Sequence, residues 1–538
     1  MNLIIINLQI PVELNGPDEL GKTDPYIKAA SQRLGIGCNN LKIIKILSKE
    51  LDLSNKEQLL YKISIAVRIS GIFDNTEKFP EYIERPEDIQ GAGAAGQSIN
   101  IKDRPIIIGF GPAGMFAALT LLAYGIKPII FERGKKIEER ALDVERFTLN
   151  RKLDPESNIQ FGEGGAGSFS DGKLFSRRDR NTGYVNRVLN TYIQFGAPEE
   201  IGYISKPHLG TDVLCRIVAN MRNYILAQGG QIHYGAKMTD LVISGGTACG
   251  VIINGDQEYR SSDIYLAVGH SARDTFEMIH KNGIMVEQKP IFVGVRMEHS
   301  AKLINRIRYG NKYKDFPDIG AAAYSFSYTD RIKKRGVYTF CMCPGGEIVN
   351  ASSEDGMMVL NGMSCSARAS AFSNAAIVVS CHTDDYRSAN PLAGMEFQKE
   401  IERRTFQAGG GNWAVPAQNL EDFMLSRSSG GLNENSYRMG VVSVHLKDLF
   451  PEFISDLLLA AFNKWKQQEP LFVSRQAILF GAETRTSCPV RIKRNHNCES
   501  VNIKNLYPIG EGSGYTGGIT SSAADAMKAV DMKWGRAA

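Results

Sequence analysis

Gly109, Gly111 and Gly114 stand in the spacing G-x-G-x-x-G, and an acid, Glu132, closes the same short unit. The first glycine permits a tight turn, the second lets the backbone approach a pyrophosphate, and the third lets the following helix lie close on its strand. A carboxylate at Glu132 suits the 2′- and 3′-hydroxyls of an adenosine ribose and repels a 2′-phosphate. The elements that must position these residues are legible around them. Residues 106–108 form a β-branched run suited to a buried parallel strand. Residues 115–124, rich in Ala and Leu, predict a helix whose positive end faces the phosphates. Residues 127–131 predict the second strand. Four glycines, two interior prolines and Lys127 interrupt the apolar run 105–131, so it is not read as a membrane span. Gly91, Gly93 and Gly96 repeat the spacing, but the polar stretch EYIERPEDIQ precedes them, so residues 84–100 read as a linker.

Two further glycine loops carry the same logic. NIQFGEGGAGSFSDGKLFSRR, residues 158–178, gathers Gly162, Gly164, Gly165 and Gly167 with Ser168, Ser170, Asp171 and Lys173, a composition able to turn backbone N–H groups toward a phosphate or a flat ring. Near the C-terminus a strand at 506–509 leads into Gly510, Glu511, Gly512, Gly514, Gly517 and Gly518, and then a helix at 520–530. A chain that opens and closes on strand–glycine–helix brings both ends to one ligand. FAD, with a dinucleotide end and a flavin end, accounts for two such loops.

Other reactive residues give weaker patterns. His208 and His270 stand in loops, as structural hydrogen-bonders or as acid–base groups. Cys341 and Cys343 are two apart; on a regular strand their side chains share a face, as inert buried thiols or as a strained redox pair. No C-x-x-C pair follows the first strand–helix–strand unit, which argues against a dithiol reductase mechanism, and no ligand spacing suggests a metal. Arg273 with Asp274, and Glu483 with Arg485 and Arg491, read as ion pairs or anion holders.

The chain has 538 residues, 43% hydrophobic and 22% charged, with a formal net charge of +5. Length allows two to four domains. The mild charge and the short basic clusters (Arg177, Arg178 and Arg180; Arg331, Lys333, Lys334 and Arg335; Arg491, Lys493 and Arg494) do not predict a nucleic-acid partner. Nine cysteines without framework spacing, and an apolar N-terminus without a basic leader, predict a reducing, cytoplasmic setting.

Residues 1 to about 90 read as a small α+β unit: a strand at 3–12, a helix at 25–34, and strands at 41–53 and 58–70. A charged helix at 135–153, a helix at 211–228 and a run of short strands at 231–268 follow, and a mixed region occupies 285–480.

IIIGFGPAGMFAALTLLAYG with FERG, FGEGGAGSFSDGKL, KPHLGTDVL, AVGHSARDTFE, FCMCPGGEIVNASSE, NGMSCSARAS, ETRTSCPVRI and PIGEGSGYTGGITSSAADA together resemble the glutathione-reductase-type FAD flavoproteins. Within these, the chain is most similar to the bacterial family of FAD-dependent, "NAD(FAD)-utilizing" dehydrogenases, over residues 105–525. The resemblance implies an α/β fold: a glutathione-reductase-type FAD-binding Rossmann domain (99–284 and 481–538) with an inserted mixed α+β domain (285–480) and a small N-terminal α+β domain (1–98). It implies that Gly109, Gly111, Pro112, Ala113 and Gly114 surround the pyrophosphate, that Glu132 and Arg133 take the ribose, and that Met238 meets the adenine. Gly164, Gly165, Ala166, Gly167, Ser168 and Lys173 would run along the pyrophosphate and flavin. Ala267, Gly269 and Arg273 lie in the Ala-x-Gly segment. Gly510 and Glu511 stand where the family has Gly-Asp, and Gly517, Gly518 and Ile519 would underlie the flavin pyrimidine.

The expected function is an FAD-dependent oxidoreductase acting on a small molecule, with NAD(P)H as a transient donor, no membrane span and no assigned catalytic side chain beyond the candidates His208, His270 and Cys343. The alternatives are a tRNA-modifying flavoprotein and a non-catalytic flavin sensor.

Overall fold

A computed structural model describes residues 2–15, 24–71, 73–75, 78–83, 103–174 and 183–535. The linker and decoy glycines at 84–100, the 98/99 boundary and the cluster Arg177, Arg178 and Arg180 lie outside the described residues.

Three short strands of almost pure Ile, Leu and Phe make the centre of the molecule. Ile106–Ile108, Ile129–Phe131 and Ile264–Leu266 lie in a five-stranded parallel sheet of order Leu506–Pro508, Ile264–Leu266, Ile106–Ile108, Ile129–Phe131, Gln231–His233. Ile106, Ile107 and Ile108 are buried, as a strand covered on both faces requires. Helix Pro112–Ala123 leaves the central strand with Pro at its first position, where the missing N–H costs nothing. It packs on the C-terminal helix Ile519–Trp534 through Ala113, Ala117, Ala523 and Ala526. The first and last elements of the dinucleotide unit are thereby neighbours. A three-stranded meander, Met238–Ser244, Thr247–Ile253 and Gln257–Arg260, flanks the sheet.

Between strands Ile264–Leu266 and Leu506–Pro508 the chain inserts a seven-stranded sheet of order Ser327–Asp330, Arg335–Cys343, Phe372–Cys381, Ile291–Ser300, Ile478–Glu483, Val415–Asn419, Val441–Ser443. Its pairs are antiparallel except the last, Val415–Asn419 with Val441–Ser443. One face buries Val293, Val295, Met297 and Ile377 against helix Glu452–Gln468, whose Trp465 and Leu458 are fully enclosed. Each such side chain contributes about 1.5–3 kcal/mol by leaving water. The expected boundary at 480 falls inside strand Ile478–Glu483, which pairs with Ile291–Ser300. The inserted sheet therefore runs past 480, because Glu483 ion-pairs with Arg296 on that neighbouring strand, at 2.9 Å.

The N-terminal unit is a three-stranded antiparallel sheet, Asn2–Pro11, Leu60–Ile69, Leu41–Asp52, with helix Pro25–Leu34 on its apolar face. Asp24 caps that helix by accepting from the Tyr26 amide at 2.7 Å.

Candidate functional site: a cavity between the two sheets

The carboxyl ends of the parallel strands and one face of the seven-stranded sheet enclose a cavity of about 900 Å³, near the top of the ~300–1,000 Å³ span of ligand pockets. Gly109, at φ 95°, makes the turn after the central strand. A Cβ on Gly114 would strike the Gly109 carbonyl, so only glycine lets the helix start there. Gly111 is the helix N-cap with no side-chain cap, which leaves the first amides of Pro112–Ala123 facing the cavity. Gly165, at φ 60°, stacks its backbone on that of Gly111; a Cβ on Gly165 would come within 3.0 Å of the Gly111 Cα.

Three buried charged groups hold the second glycine loop in place. Glu132 accepts from the amides of Phe110 at 2.7 Å, Gly134 at 2.9 Å and Gly162 at 3.0 Å. A carboxylate has about four acceptor positions, so one is left for a ligand hydroxyl. Arg140, fully buried, donates to the carbonyls of Asn158, Ile159, Glu163 and Gly165 at 2.6–3.0 Å. Burial lowers its guanidinium to about 10, still protonated at neutral pH. Glu163 accepts from the Ile137 amide, Arg222 and Tyr234 at 2.6–2.7 Å. No motif pointed to Arg140; its signal was only a charged residue on the buried face of helix Ile137–Asn150.

The cavity wall includes Gly109, Gly111, Pro112, Ala113, Glu132 and Arg133, then Gly165, Ala166, Gly167, Lys173, Met238, Ala267 and Gly269, and at the far end Glu511, Gly517, Gly518 and Ile519. His270 and Cys343 also reach it. Several expected contacts lie elsewhere. Gly114 and Gly510 pack behind the wall, against Gly109 and Ala113. Gly164 and Ser168 pack on each other beneath the loop. Arg273 is sealed away from the cavity because Glu402 and Glu354 take its guanidinium at 2.8–2.9 Å. Asp274 pairs with Arg133 and Lys237, not with Arg273. Glu483 pairs with Arg296, Arg485 with Glu402, and Arg491 with Glu287.

The candidates for chemistry separate. His208 does not line the cavity; burial, with Arg368 adding to it, lowers its imidazole to about 4, so it is neutral at pH 7. His270 faces the cavity with Nδ1 3.5 Å from Glu511 Oε2 and Nε2 buried without a partner. Burial alone would raise the Glu511 carboxyl, but His270, the Gly518 amide and Lys289 outweigh it and hold it below its ordinary value. The regular alternation expected of Cys341 and Cys343 does not hold, because the strand is irregular between Phe340 and Cys343 and Cys341 has φ 41°. Cys341 opens to the cavity, while Cys343 is buried against Arg296, and burial pushes its thiol up. Both are free thiols. Among the described residues no cluster of His, Cys, Asp and Glu could hold a metal, and no helix is long and apolar enough to cross a membrane.

Residues 290–486, which span all seven strands of the inserted sheet, match the family model "FAD-dependent protein, C-terminal domain-like". A Clostridium beijerinckii protein described as "Uncharacterized protein" is 40% identical over 514 residues, 94% of each chain. The chain belongs to the same family as this protein, and its residues 290–486 belong to the FAD-dependent C-terminal domain family. Among solved structures the chain is similar to CtdE in complex with FAD, at 13% identity over 80% of this chain and 84% of that one, with a TM-score of 0.32. It is also similar to the open conformation of a flavocytochrome c3 fumarate reductase, at 10% identity over 86% and 83%, with a TM-score of 0.32.

The cavity fits FAD on its own geometry. A pyrophosphate suits the helix N-terminus at Gly111 and the bare backbones of Gly109 and Gly165, and a ribose hydroxyl suits the remaining acceptor position of Glu132. The sheet order sets Glu132, Gly109, Gly269 and Glu511 side by side along this cavity, ending at helix Ile519–Trp534, and these residues would hold the two ends of a dinucleotide.

Proposed function

We propose that the protein is an FAD-dependent oxidoreductase of glutathione-reductase-type architecture, exchanging a hydride or electrons with a small molecule, with NAD(P)H as a transient donor. The observation that carries this reading is one cavity with two unlike walls. One wall is the glycine-built dinucleotide cradle. The other is the sheet face with Phe292, Phe340, Cys341 and Asn361, which no dinucleotide motif requires. Bound FAD supplies the redox chemistry. The chain's part is to bind and orient: Glu132 and Gly111 fix one end of the cofactor, and helix Ile519–Trp534 turns its positive end toward the other. The sheet roof keeps bulk water off and leaves room for a second molecule.

The test is an anaerobic titration of the purified protein with NADH and then NADPH, following flavin absorbance. Bleaching by either establishes the reductive half-reaction. Bleaching by dithionite alone refutes the nicotinamide donor. A protein that neither carries nor takes up FAD refutes the reading.

A further inference from the structure

At the Glu511 end of the cavity, polar groups converge that no protein atom satisfies. Arg491 Nε, Ser487 Oγ and His270 Nε2 are buried without hydrogen-bond partners, and all three residues line the cavity. Lys289 lines it beside them; its Nζ has only the Cys488 carbonyl, at 3.4 Å. An unsatisfied buried donor costs about 1–3 kcal/mol, so several at one place point to a ligand that accepts from them. The charges agree. Lys289, Arg491 and Lys493 face two carboxylates, Glu287, which pairs with Arg491 at 2.9 Å and Lys493 at 3.6 Å, and Glu511, which faces His270 at 3.5 Å. One positive charge is left over on these five side chains.

The neighbouring wall is apolar. Thr486 Oγ1 donates to the Phe292 carbonyl at 2.9 Å, which ties the anion-seeking corner directly to Phe292. Phe292 meets Tyr338 edge-on at 5.8 Å. Phe340, 41% exposed, opens into the same cavity.

We propose that Lys289, Ser487 and Arg491 form an oxyanion subsite for the substrate, and that Phe292 and Phe340 take its apolar, ring-sized body. The substrate class is therefore a small aromatic or alicyclic molecule bearing a carboxylate or phosphate. This rests on the flavoprotein reading above, since it takes the dinucleotide cradle to be filled by FAD.

The test is calorimetric titration of the FAD-loaded protein with benzoate, phenyl phosphate, acetate and benzyl alcohol, with bound FAD counted in every sample. Benzoate or phenyl phosphate binds one per chain, and acetate and benzyl alcohol bind at least about tenfold more weakly. Lys289→Met and Arg491→Met, on different segments, each weaken the aromatic anion about tenfold. Phe340→Ala weakens it too, and FAD stays at one per chain in all three. Wild-type FAD-loaded protein that binds neither aromatic anion overturns the subsite alone, as do Met variants that bind like wild type. Loss of FAD in both Met variants assigns the cluster to the cofactor and also overturns it. A wild type that takes up no FAD refutes the flavoprotein reading and the subsite together.

Discussion

Glu132 Oε1 accepts the Gly162 amide at 3.0 Å, so one carboxylate joins the first dinucleotide strand unit to the second glycine loop. Its other oxygen accepts the Phe110 amide at 2.7 Å. The acid that the motif assigns to a ribose is thus also the pin between two backbone segments. Glu132→Gln keeps the shape but turns an NH2 group toward an amide donor. Hydrogen bonds to a charged group are worth about 1.5–3 kcal/mol each, so the variant is expected to lose about that much stability and to purify with less than half its FAD. Thermal unfolding and the flavin-to-protein absorbance ratio measure both. An unchanged melt with lost FAD would leave Glu132 a ribose ligand only.

Arg140 holds the same loop from below, with four carbonyls at 2.6–3.0 Å. Lys cannot reproduce this, since one ammonium presents three donors from a single point while the guanidinium presents five in a planar fork. Arg140→Lys is expected to cost about 3 kcal/mol or more by leaving buried carbonyls unpaired. FAD affinity falls with it, because Gly165 loses its fixed place against Gly111. Fluorescence of released flavin during a melt reads the two losses together.

The parallel strand unit was legible because its physics is local: Ile106–Ile108, the glycine turn and Glu132 lie within one short stretch. The cavity's other wall was not. Lys289, Ser487 and Arg491 are distant from Phe340 in sequence and come to one cavity through the strand order Arg335–Cys343, Phe372–Cys381, Ile291–Ser300, Ile478–Glu483. Nothing in the spacing of Cys341 and Cys343 announced the irregularity that separates them, since it depends on pairing with Phe372–Cys381. Arg273 read as a cofactor contact because its partner Glu402 lies on a helix far along the chain, Ala393–Ala408.

Glu402 is buried between Arg273 and Arg485, taking four guanidinium bonds at 2.8–3.0 Å and the Thr484 hydroxyl at 2.7 Å. It fastens the helix Arg273–Lys281 of the parallel-sheet half to the inserted half. Burial alone would raise its carboxyl, but the two arginines outweigh this and hold it far below the usual carboxylate range. Glu402→Gln leaves two buried cations facing a neutral amide and is expected to cost about 3–5 kcal/mol, read by denaturant unfolding at pH 7. A cost under about 1 kcal/mol would mean the cluster is solvated.

The same carboxylates set the acid limit. Asp274 is held at about 2 despite burial by Arg133 and Lys237, against 3.8 when free. A depressed carboxylate stabilises the fold above its free value, and that stability is lost as pH falls toward its folded value. The stability that Asp274 contributes is therefore expected to hold down to about pH 4–5 and then to fall steeply. Asp274→Asn starts lower at pH 7 and loses less on going to pH 3. Equal losses in the two proteins would remove Asp274 from the account.

His208 separates a structural from a catalytic histidine. Folded, it takes its proton only near pH 4, against 6.5 when free. The unfolded chain therefore binds the extra proton between these values, and stability declines as pH falls across that window. His208→Gln removes this slope, so its melting temperature is expected to drop less than wild type's between pH 7 and pH 5. Because His208 does not reach the cavity, bound FAD and the pH profile of flavin reduction stay unchanged between pH 6 and 8. A shifted reduction profile with an unchanged melt would return His208 to the chemistry. The neutral imidazole argues for the first outcome, since burial, with Arg368 and Lys173, outweighs Asp171 and Asp212 and disfavours a proton there.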